Sequence, residues 1–201
     1  IQTTEKTDDS NKKNIFFIWP ILIFLLVFIS MANAITEGSV DAWGALYMRD
    51  FIQVDGFKIG LATLCFNIFM VLGRLSGDWL RDKIGIFLLI LILFLLTIIS
   101  LLILTNYNNI FVSIIGFSLL GIGASSIVPI AYSLAGKIKG IDSGVGITII
   151  SIAVYATFIG APASLGFIAN NYGINTIFIP MLFVFVFLLM PITYFRKNFS
   201  I

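Results

Sequence analysis

Histidine is absent from this 201-residue chain, cysteine occurs once, and charged side chains make up only 11% of it. The first absence removes the commonest general base and metal ligand of proteins. The lone thiol, Cys65, cannot close a disulfide within the chain and reads as a small apolar packing residue. There is no glycine-rich phosphate loop ending in Gly-Lys-Ser and no spacing of acids that would hold a metal. An enzyme, a metal centre and a bound cofactor are therefore not expected. The scarcity of charge excludes water as the main solvent: hydrophobic residues make up 59% of the sequence and the mean hydropathy is +1.08.

What is present is a series of apolar runs of about 20 residues, the length that crosses roughly 30 Å of hydrocarbon. Five are plain: Ile15 to Thr36, Ile86 to Thr105, Ile110 to Ala135, Gly144 to Ala169 and Thr176 to Phe195. A weaker one, from about Phe57 to Gly77, carries Lys58, Asn67 and Arg74. A spanning segment must satisfy its own backbone hydrogen bonds, so the choice lies between helices and a closed barrel. Barrel strands alternate in polarity, whereas the run from Ile86 to Thr97 is solidly apolar, so the expectation is an all-α membrane protein of six transmembrane helices in the lipid bilayer.

The cations test the count. Lys6, Lys12, Lys13, Arg74, Arg81, Lys83, Lys137, Lys139, Arg196 and Lys197 fall on the side shared by the chain ends and the even-numbered loops, leaving Arg49 and Lys58 on the other. Positively charged loops stay cytoplasmic, which predicts a multi-pass protein of the cell membrane with both termini inside. The net charge of +2 then reflects cytoplasmic loops and gives no reason to expect nucleic acid. Lys12 and Lys13, the apolar stretch to Ile29 and Ala32-Asn33-Ala34 imitate a secretory signal, but five further spans favour an uncleaved first helix.

Residues 1–14, rich in Thr, Asp, Asn and Lys, read as a disordered cytoplasmic linker or tail, 15–195 as the six-helix bundle, and 196–201 as a short cytoplasmic tail. The linker composition and the initial Ile suggest a preceding segment, a processed start being the alternative. The spans divide as three plus three about the polar turn Asn106 to Asn109. An odd number of crossings per unit inverts the second triplet, the inverted-repeat arrangement of many secondary transporters. The stretch from Glu37 to Asp55 reads as a long outer loop in which Trp43 and Tyr47 share a face as interfacial aromatics.

Pro129 and Pro162 lie within apolar runs and predict kinks, while Gly160 and Gly166 allow close helix contact. Glu37 and Asp41 at the outer end of the first helix, and Arg74 at the inner end of the second, are candidates for proton coupling and for clamping a substrate, against a bland role as interfacial charges. Asn33, Asn67, Ser125, Tyr132, Thr148 and Tyr155 are neutral groups within the spans that suit a small solute or hydrogen bonds between helices.

The densest charge cluster, Gly73-Arg-Leu-Ser-Gly-Asp-Trp-Leu-Arg-Asp-Lys-Ile-Gly85, resembles the loop signature of the major facilitator superfamily: Gly, any, Leu, any, Asp, Arg or Lys, any, Gly. Leu80, Asp82, Lys83 and Gly85 carry the match, and Gly77 stands one position before the pattern's first glycine. Gly121-Ile-Gly123, Pro129 and Ser133 to Gly136 look like the tenth helix of these carriers, and Gly160-Ala-Pro162 through Gly166 like the eleventh. Glu37 to Asp50 followed by Gly73-Arg74 is similar to the seventh and eighth helices of sugar-permease-like members, such as the fucose-permease-like group.

The resemblance implies the C-terminal half of a twelve-helix carrier. Such a half would move a small solute, a sugar among the candidates, by alternating access beside a second six-helix half. That second half could be a separate chain, a missing N-terminal half or another copy. The resemblance also implies a charge latch at Asp82, Lys83 and Arg81, with Arg74 and Asp78 as neighbours. The competing expectation is a truncated, non-transporting six-helix membrane fragment or assembly partner.

Overall fold

A computed structural model describes residues 21–138 and 141–196. The linker expected over 1–14, the first residues of the first span and the tail beyond Arg196 lie outside them. The described residues form helices α1 (Ile21–Asp50), α2 (Leu61–Ile84), α3 (Ile86–Asn106), α4 (Ile110–Ala124), α5 (Ile127–Ala135), α6 (Ser143–Tyr172) and α7 (Phe178–Tyr194). Short 3-10 turns, Gly56–Gly60 and Ile174–Ile177, lead into α2 and α7. With α4 and α5 as one broken span, six spans are long and apolar enough to cross a membrane, and no strand occurs among the described residues. This is the all-helical, six-span architecture expected from the hydropathy.

Local chemistry sets the joints. Gly85, at φ 84°, is the whole connection between α2 and α3, in a conformation that costs a residue with a Cβ far more than glycine. Asn109 starts α4 by accepting hydrogen bonds from the backbone N–H groups of Phe111 and Val112 at 2.9 and 3.3 Å. Asp142 does the same for α6, accepting from Gly144 and Val145.

Two elements depart from the sequence reading. The stretch expected as an outer loop from Glu37 to Asp55 is helical as far as Asp50, so α1 has 30 residues and is about 45 Å long. Burial of one side sustains it: Ser39, Val40, Gly44, Tyr47 and Met48 all lie in the core. Tyr47 is not interfacial. It is fully buried, packs edge-on against Phe117 and Phe178, and donates its hydroxyl to the Leu104 carbonyl at 2.8 Å.

The second departure is at Pro129. The helix breaks four residues earlier, at Ser125 and Ser126, and Pro129 sits in the first turn of α5. Proline acts at that distance because it supplies no N–H to the carbonyl four residues back and its ring crowds that carbonyl. The α6 helix, in contrast, runs unbroken through Pro162.

Glycines bring α2 and α4 together. A Cβ on Gly121 would fall on the Phe66 carbonyl oxygen, and one on Gly73 would lie 2.5 Å from Ser125 Oγ. In a bilayer, where lipid tails are as apolar as leucine, such backbone proximity is a main source of helix association.

Candidate functional site

The continuation of α1 moves Glu37 from the end of a span to its middle, and Arg74 lies near the middle of α2. Charges assigned from sequence to opposite ends of two helices therefore meet: Arg74 Nη2 stands 3.5 Å from Glu37 Oε1. Arg74 also reaches the break between α4 and α5, where its Nε donates to the Ser125 carbonyl at 3.2 Å. That carbonyl is the one Pro129 leaves without an intrahelical donor. Gly73 and Gly77 carry no side chains that would hold the break away, and Ser126 Oγ donates to the Gly73 carbonyl at 3.4 Å. Three helical elements thus converge on one guanidinium.

The pair is not sealed. The Arg74 side chain is 48% exposed and that of Glu37 23% exposed in the six-helix bundle. A charge facing hydrocarbon near mid-span costs about 2.5–3.5 kcal/mol on insertion scales and more in calculations. This face of the bundle is therefore suited to a water-filled cavity or a protein neighbour rather than to lipid.

One helical turn before Glu37, Asn33 is 1% exposed, and neither of its amide atoms has a hydrogen-bond partner among the described residues; Ser30 Oγ, one turn earlier, is likewise buried and without one among them. Asp41, one turn after Glu37, is exposed.

The charge cluster at the end of α2 forms a group on the last two turns of that helix. Arg81 contacts Asp78 at 2.9 Å and Asp82 at 3.2 Å, and Lys83 lies 4.8 Å over the Trp79 ring. The remaining candidates scatter. Asn67 donates to the Thr63 carbonyl of its own helix, Tyr132 accepts from Ser151 Oγ across α5 and α6, and Tyr155 is exposed. Gly160 borders an apolar groove of about 390 Å³ between α1, α6 and α7, and Gly166 packs against the Trp43 ring. Sequence reasoning missed the Ser125 carbonyl as an acceptor, although its place four residues before Pro129 was a usable signal.

No known family profile matches the chain. It is 30% identical over 160 residues to an uncharacterized MFS-type transporter of Yersinia pestis, an alignment covering 80% of this chain and 41% of that protein. Solved structures of the peptide transporter POT, with alafosfalin or sulfate bound, superpose with a TM-score of 0.79 over 93% of this chain and 40% of theirs, at 19% identity. The fold is that of one half of a major facilitator transporter.

Two further relatives match a similar share of the chain. The membrane protein MosC of Rhizobium meliloti is 31% identical over 153 residues, covering 75% of this chain and 38% of MosC. An uncharacterized transporter of Sinorhizobium fredii is 25% identical over 148 residues, covering 74% and 39%. The aligned part of the chain spans about two fifths of the length of each curated relative.

Proposed function

We propose that this multi-pass membrane chain works as the C-terminal half of a secondary transporter of the major facilitator type. It would move a small solute by alternating access at the interface with a second six-helix half. The observation that carries the reading is the mid-span pair of Glu37 and Arg74, half-open on the bundle surface. Lipid is a poor neighbour for such a pair, whereas a solute cavity between two halves is a good one. Transporter relatives and the half-carrier fold add support.

Within this reading Arg74 clamps the solute, and Glu37, with Asp41 beside it, is the acid through which a proton could be coupled. Asn33, Asn67, Tyr132 and Tyr155 are secondary polar contacts. Asp82, Arg81 and Lys83, neighboured by Asp78 and Gly85, act as a latch on the inner side, and Pro129, Gly160, Pro162 and Gly166 shape the helices that move. A sugar is the solute favoured by the sequence resemblance, and both termini face the cytoplasm.

Counterflow of labelled sugars and amino acids in proteoliposomes tests the proposal. Uptake that falls at least about tenfold in Arg74→Gln supports it. Absence of uptake across the panel, by this chain alone and with a co-expressed six-helix partner, favours the non-transporting fragment instead.

A further inference from the structure

The Arg74 guanidinium has more hydrogen-bonding capacity than the protein around it uses. Arginine carries five N–H donors in a planar fork. Among the described residues Arg74 makes one hydrogen bond, from Nε to the Ser125 carbonyl. Its 3.5 Å approach to Glu37 is longer than the roughly 2.7–2.9 Å of a charge-assisted bond. The fork at Nη1 and Nη2 is therefore held loosely, at a depth where an arginine without firm partners is unfavourable.

Beside it a cleft of about 160 Å³ opens between α2 and α5, lined by Arg74, Gly77, Asp78, Arg81, Ser126 and Pro129, with Ile130 behind. The two guanidiniums differ in their state. Arg81 is already matched by Asp78 and Asp82 at 2.9 and 3.2 Å. Arg74 is the one with donors to spare. Gly77 contributes no side chain, and a Cβ there would run into Ser126 Oγ and narrow the cleft.

A guanidinium fork held only loosely by Glu37, beside a small cleft, is complementary to a planar or tetrahedral oxyanion that accepts two parallel bonds. We propose that Arg74 is the receptor for an oxyanion group, a carboxylate or a phosphate, on the transported solute. Glu37 is its internal placeholder, displaced when that group binds. The two carboxyl-like groups compete for one guanidinium, so the loose contact of the resting pair is what lets the exchange occur. The inference rests on the transporter reading for the source of the anion, but its test does not.

The experiment is isothermal titration of the 201-residue chain in phosphatidylcholine nanodiscs with D-glucuronate, D-glucose 6-phosphate and neutral D-glucose. At least one of the two anions binds about tenfold or more tightly than glucose, and the tighter one assigns carboxylate or phosphate. Arg74→Gln weakens that binding about tenfold or more, Arg74→Lys less, and Arg81→Gln by under about threefold. Glu37→Gln removes the competitor and tightens anion binding about threefold or more, a gain that a misfolded variant cannot imitate.

Equal binding of all three solutes, unchanged anion affinity in Arg74→Gln, or weaker binding in Glu37→Gln would overturn the proposal. So would anion binding that is lost when phosphatidylglycerol is added, because the site would then belong to a lipid headgroup phosphate. Anion binding without counterflow would leave the oxyanion site at Arg74 standing and remove the transport reading. Counterflow without anion preference would do the reverse.

Discussion

At the scale of single residues, the two most consequential contacts join groups far apart in the chain. Tyr47 donates to a carbonyl in the last turn of α3, where helical carbonyls have no N–H partner of their own. Tyr47→Phe leaves that oxygen buried and unpaired, and is expected to cost about 1–3 kcal/mol. Thermal unfolding followed through reaction of a thiol dye with Cys65 measures it, and an unchanged midpoint would remove the argument. The Glu37 and Arg74 pair calls for a double-mutant cycle. Glu37→Gln and Arg74→Gln each destabilise, and the double variant is less harmed than the two effects added, with a coupling of about 0.5–3 kcal/mol. Additive effects would mean that the two groups merely lie near one another.

At the scale of elements, the joint between α4 and α5 depends on Pro129. Pro129→Ala gives the Ser125 carbonyl an N–H donor, straightens the span and competes with Arg74 for its acceptor. Spin labels near Ile110 and Ala135 should move apart by a few ångströms in electron-resonance distance measurements, following the rise of about 1.5 Å per residue of a continuous helix. An unchanged distance would show that packing alone breaks the helix. The contact of α2 with α4 depends on Gly121, whose missing side chain admits the Phe66 carbonyl. Gly121→Leu forces backbone against side chain and should cost at least about 1–3 kcal/mol, whereas Gly160→Ala, in open space, should cost little. Similar melting of both variants would contradict that packing.

At the scale of the whole molecule, the cation bias predicts both ends inside, which would put the turn at Tyr107–Asn109 on the outer side. In a Cys65→Ser background, a membrane-impermeant maleimide applied to intact cells should label Asn108→Cys and leave Lys137→Cys untouched. The opposite pattern would invert the topology. The open flank of the bundle at Glu37 and Arg74 belongs to this scale as well, because its meaning depends on what stands against it.

Hydropathy and charge bias were enough to read the six spans, their order and the helical class from the sequence, and the joints at Asn109 and Gly85 rest on equally short-range chemistry. These features are local. Each depends on a residue's own transfer energy, or on neighbours within a turn. The true end of α1 was not legible, because Glu37, Asp41 and Asp50 lower the local hydropathy while Tyr47 and Met48 hold the helix through burial against other helices. The Glu37 and Arg74 pair, and the Ser125 carbonyl that shares the guanidinium, were hidden for the same reason. Which faces of α1, α2 and α4 meet depends on their mutual rotation and depth, and those are decided only when glycines, serines and buried aromatics pack together in three dimensions.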